Sequence, residues 1–150
     1  MTFDPNGWQT ELVMSIAKRT PGLLAAGLAL LLQVSVLAEP ITAGAYTGHW
    51  EGASGASGDF HLALASEADG KWKAGISFGM SGQDIKCKVT ALTVEGAKIH
   101  AVYTFDLQGI VLESTIDGER AGSKLSGKYR TRVVADNSAV DEGSWDASIT

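Results

Sequence analysis

From Tyr46 onward, apolar side chains recur at every second position in short runs. A period of two belongs to strands with one face on a core, because successive side chains point to opposite faces. Tyr46, Gly48 and Trp50 thus share one face, and Thr47, His49 and Glu51 the other. A second strand, 59–65, turns Phe60, Leu62 and Leu64 inward; a third, 71–78, turns in Trp72, Ala74, Ile76 and Phe78. The fourth, 85–94, begins with Ile85, Cys87 and Val89 inward, then slips phase by one before Leu92 and Val94. That slip predicts a bulge near Thr90 and Ala91. The fifth, 98–106, buries Ile99, Ala101, Tyr103 and Phe105, and the sixth, 110–116, buries Ile110, Leu112 and Ile116. The seventh turns in Leu125, Gly127, Tyr129, Thr131 and Val133. The eighth, 143–150, turns in Trp145, Ala147 and Ile149.

Between these runs lie glycine-containing turns at 67–70, 95–96 and 107–109, a flexible loop at 53–58, and polar loops at 117–123 and 136–142. No stretch after residue 38 keeps a helical spacing. The pattern predicts an all-β domain: an eight-stranded antiparallel up-and-down barrel, with a β-sandwich as the alternative. Short sequential connections favour the barrel, and pairing the last strand with the first would remove both exposed edges.

The first 38 residues read differently. Lys18 and Arg19 precede an apolar run, 23–38, that ends Val36-Leu37-Ala38. Basic, apolar and small-residue segments in that order mark a secretory signal peptide, and the run is shorter than the ~20 residues of a membrane span. Cleavage after Ala38 is expected. Met14 is a second candidate start, since it opens a more ordinary basic segment than Met1 does. Residues 39–150 are then one domain, exported to the periplasm or beyond the cell, with no stable membrane insertion after cleavage. The first 38 residues carry two basic and two acidic residues, so the rest keeps the whole chain's net charge of −5. An acidic domain is a poor match for a phosphate backbone, so nucleic acid is not expected as a partner. Cys87 is the only cysteine, which rules out an intrachain disulfide. Stability must come from the core.

Three segments, Thr47-Gly48-His49-Trp50-Glu51-Gly52, Leu125-Ser126-Gly127-Lys128-Tyr129 and Gly143-Ser144-Trp145, carry a resemblance. Together they resemble the small secreted lipocalin-like (calycin-like) β-meander domains of bacteria, and the Gly-x-Trp is similar to that of the lipocalin and avidin groups. The resemblance covers most of residues 45–150. It implies a calycin-like barrel and a small ligand held inside it, and no ligand-contact residue carries over.

The residues themselves offer few routes to chemistry. There is no Gly-x-Ser-x-Gly elbow, the histidines lie in strands, and Cys87 faces inward, so no enzyme and no cofactor are expected. His49, His61 and His100 fall on the outer face. A first hairpin centred near Gly55 sets His49 opposite His61 and Glu51 opposite Asp59, a set that could ligate a metal ion; ordinary solvent-facing polar residues are the competing reading. Lys124, Lys128, Arg130 and Arg132 form an outward basic stripe that reads as a solvated strand face.

The interior is the remaining candidate. An eight-stranded barrel is just wide enough to be filled by side chains or to hold one small ligand. Gly48, Ala74, Ala101, Ser114, Gly127 and Ala147 are small inward positions. Clustered at one level, they would leave a pocket ringed by Trp50, Trp72, Tyr103, Tyr129 and Trp145. Set against bulky neighbours, they would only fit the taper. Two functions follow: binding of a small, largely apolar molecule, or a structural or protein-interaction module with a filled core.

Overall fold

The computed structural model describes residues 38–150, and the segment read as a signal peptide, with Met14, lies outside the described residues. Nine strands follow in order: β1 (Gly44–Gly52), β2 (Ser57–Ser66), β3 (Trp72–Met80), β4 (Gln83–Lys86), β5 (Lys88–Glu95), β6 (Lys98–Leu107), β7 (Ile110–Ala121), β8 (Lys124–Val133) and β9 (Ala139–Ile149). They form one antiparallel sheet of order β4-β3-β2-β1-β9-β8-β7-β6-β5. Every neighbour is a sequence neighbour except β1 and β9, which pair from Tyr46↔Ile149 to Gly52↔Gly143. This is an up-and-down barrel in which the two ends of the meander join; two separate sheets do not form.

The ends of the ladder, β4 and β5, are the two halves of the expected fourth strand. Cys87 alone separates them, and its N–H donates to Ile76 O at 3.0 Å. β4 pairs with β3 and β5 with β6, so one broken strand serves two diverging neighbours. The expected bulge is present, as the β5–β6 register shifts between Val89 and Ala91.

The inward faces meet in one core that includes Tyr46, Phe60, Leu62, Ile116 and Leu125, all almost completely buried. Ile110 and Ile149 depart from expectation. They are 53% and 41% exposed, because each lies at the end of its strand, where the partner faces run out. Residues 117–121, expected in a loop, continue β7 against β8 as far as Ala121↔Lys124. Gly118, within that expected loop, lies in β7 and makes room for a ring, described below.

One end of the barrel carries the β2–β3, β5–β6 and β7–β8 turns. The segment before β1 packs there: Ile41 is buried, its N–H donates to Gly96 O at 2.8 Å, and the Tyr46 hydroxyl donates to Thr42 O at 2.7 Å. Arg120 ties the segment down through Pro40 O and the Glu39 carboxylate. A buried isoleucine thus helps to fill this end. The other end, with the β1–β2, β3–β4, β6–β7 and β8–β9 connections, is the one that holds space.

Candidate functional site: an aromatic cavity at one end of the barrel

A cavity of about 190 Å³ lies within the barrel and reaches the loops of that second end. Its walls come from alternate positions on β1, β2, β3, β6, β7, β8 and β9. Trp50 closes one side, with its indole N–H donating to Gly79 O at 3.1 Å. It meets Phe78 at 5.8 Å and Tyr129 at 6.0 Å, with interplanar angles of 83° and 85°. Phe78 in turn meets Phe105 at 4.9 Å and 81°. Rings set at right angles make adjoining walls rather than a stack.

Trp145 lies deeper. Its indole N–H donates to Lys128 O at 3.2 Å, and its ring packs on Phe60 at 5.1 Å. This position exists because Gly118 has no side chain: a Cβ there would lie 2.5 Å from Trp145 Cζ2.

Polar groups interrupt this apolar lining at two levels. Inside, Ser114 and Thr131 are both buried, and their hydroxyls bond to each other at 2.5 Å. Tyr103 is the register partner of Ser114, and burial, then the nearby Cys87, pushes its phenol pKa well above the ordinary value. At the loop level, the Asp141 carboxylate accepts bonds from the Tyr129 hydroxyl at 2.8 Å, the Ser54 hydroxyl at 3.1 Å and the Ser54 N–H at 3.2 Å. Burial works to raise the Asp141 pKa, but these bonds outweigh it and hold the carboxyl below its ordinary value. Tyr129 moves the opposite way, raised by burial and then by the bond to Asp141, so it stays a neutral donor.

Four of the five ring-forming residues expected at the site, Trp50, Tyr103, Tyr129 and Trp145, line this cavity. Trp72 does not: it begins β3 at the opposite end, paired with Ser66. Of the small inward positions only Ser114 borders the space. Gly48 and Gly127 instead sit across the ladder from Phe60 and Trp145, fitting the taper around bulky partners. Phe78, Phe105 and Thr131 were legible as inward positions but not as cavity wall. Ser54 and Asp141 both fall in segments expected to be loops; Ser54 does lie in the turn after β1, but Asp141 belongs to β9, which begins at Ala139, and no local signal in the sequence marks either residue.

The outer face differs from expectation in register. His49 pairs across from Asp59, with Nδ1 3.2 Å from Oδ1, while His61 faces Thr47 and Glu51 faces Ser57. The hairpin is shifted by two positions from one centred on Gly55. Among the described residues no group of three or more His, Cys, Asp or Glu side chains comes together as a metal site. The basic stripe is largely neutralised, with Lys124 on Asp146, Arg130 on Glu142 and Arg132 on Glu113. Cys87 is half-buried, and burial, then the charge of Asp84, pushes its thiol up to about 12. It is a neutral thiol at ordinary pH. No protein-family model, curated protein or solved structure matches the chain.

Proposed function

We propose that this domain is an exported binding module that holds one small, largely apolar molecule inside its barrel. The observation that supports the reading is the cavity of about 190 Å³ among pinned aromatic rings. Its size limits the ligand. An apolar cavity of ~150 Å³ accepts benzene, whereas pockets for drug-sized ligands run to ~300–1,000 Å³. A single ring or a compact branched group fits; a sterol or a long acyl chain does not.

A filled structural core is the second reading, favoured by the buried Ile41 at one end and by small residues fitted against large ones. The two readings separate in one experiment. Toluene, phenol and indole are titrated into the full chain at millimolar concentration, with tryptophan emission and thermal midpoint as readouts. A ligand that binds only the folded state stabilises it by about 2.7 kcal/mol at a hundredfold excess over its Kd. A raised midpoint with altered emission is expected. No change with any of the three would favour the filled core. Export is tested apart from this, by N-terminal sequencing of material recovered outside the cytoplasm, with Glu39 the expected first residue.

A further inference from the structure

We propose that the molecule taken up by this cavity is a small organic cation, an amine or a quaternary ammonium. This rests on the binding reading above and narrows it to one ligand class. The cavity lining contains no lysine, arginine or histidine, and Asp141 is its one charged group. The Asp141 carboxylate has hydrogen-bond donors but no cation within ion-pair distance among the described residues.

A carboxylate at the loop level and aromatic rings beneath it are the two groups that attract a desolvated ammonium. The carboxylate acts by charge, and the rings act through the negative potential of their faces. Trp50, Phe78, Phe105 and Tyr129 supply the rings as adjoining walls, with near-perpendicular planes at Trp50–Phe78, Trp50–Tyr129 and Phe78–Phe105. Deeper in, the Ser114–Thr131 hydroxyl pair places oxygen acceptors in the lining for an N–H or O–H on the ligand.

The same composition argues against anions. A fatty acid or phosphate would meet no cationic partner in the cavity and would face the charge of Asp141, and such like-charge placement is how sites reject a ligand. The chain's net charge of −5 points the same way, attracting cations to the domain before they reach the cavity.

The test uses the wild-type full chain and a matched pair of probes. Choline carries a trimethylammonium head, and its neutral carbon isostere carries a tert-butyl group of nearly the same shape. Toluene serves as the uncharged reference for the cavity itself. Binding is followed by tryptophan emission and by calorimetry at low and high salt. Choline is expected to bind at least tenfold more tightly than the isostere. Asp141→Asn, which removes the charge but keeps one acceptor oxygen for the Tyr129 and Ser54 hydroxyls, is expected to narrow that ratio severalfold, and an unchanged ratio would overturn the assignment. Equal binding of choline and the isostere, or binding of toluene alone, would overturn the cation assignment and leave the cavity reading intact. Failure of all three probes to bind would overturn both.

Discussion

Replacing Gly118 by alanine tests the packing that shapes the cavity. Gly118 lies in regular strand and is not among the residues with positive φ, so the substitution carries no backbone penalty of that kind. What changes is contact. A Cβ there would lie 2.5 Å from Trp145 Cζ2, 3.0 Å from Cη2 and 3.1 Å from Ser126 O, where ordinary contacts begin near 3.4 Å. The indole edge must therefore yield by nearly an ångström. It has little freedom to do so, because its N–H is bonded to Lys128 O and Phe60 packs on the ring. Overpacking of this kind typically costs ~1–3 kcal/mol. Trp145 lines the cavity, so a displaced ring should lower toluene affinity along with stability. Urea titration followed by circular dichroism measures the cost, and a cycle with Trp145→Phe identifies its source. Phenylalanine lacks the Cζ2–Cη2 edge, so in that background only the 3.1 Å approach to Ser126 O remains, and the cost of Gly118→Ala should fall by a coupling of ~1–2 kcal/mol. Gly75→Ala is the control: its Cβ would meet only Ala63 Cβ at 3.8 Å, and a change within ~0.5 kcal/mol is expected. Additive costs for Gly118→Ala and Trp145→Phe would refute the steric account.

Three further outcomes follow from the same structure. Trp50→Ala should cost ~2–4 kcal/mol, somewhat less than a fully buried tryptophan because the ring is half-buried, whereas the adjacent outward His49→Ala should stay within ~0.5 kcal/mol; urea midpoints that reverse this order would invert the face assignment. Ile41→Ala should cost ~2 kcal/mol or more, since Ile41 is only 5% exposed within the core, and amide exchange should rise first at Ile41 and Tyr46. Stability should fall on the alkaline side. Burial raises the Cys87 thiol from 9.0 to about 12 and the Tyr129 phenol above 10.0, so the unfolded chain loses these protons first as pH rises. The contribution is complete below the ordinary thiol value and is lost progressively above it. Urea midpoints should begin to drop near pH 9, and Cys87→Ala should move the onset up towards the phenol range; a flat profile to pH 11 would contradict the burial of both groups.

The limits of what could be read from the chain have a physical pattern. Faces were legible because strand alternation is a local property. Tyr46, Phe60, Ile76, Tyr103, Leu125 and Trp145 all lie inward as their spacing indicates, and even the phase slip at Thr90 and Ala91 corresponds to a bulge. Register was not legible, because a glycine-rich loop offers several turns of similar energy. The chain turns through Gly52 to Gly55, with Gly55 at φ 86° and Gly52 N–H bonded to Ala56 O. Moving the centre of a hairpin by one residue moves every pair by two. The inward face was therefore unchanged, while His61 was carried away from His49 and Asp59 was brought to it. Gly118 shows a second limit. A glycine that spares room for a ring and a glycine that turns the chain look alike in sequence, and only Trp145, on β9, tells them apart. Asp141 is the extreme case. It meets Ser54 because β1 and β9, from opposite ends of the domain, pair to close the barrel, bringing the start of β9 against the loop that follows β1. The one charged group in the cavity lining thus takes its place through closure, and no window of neighbouring residues contains the arrangement.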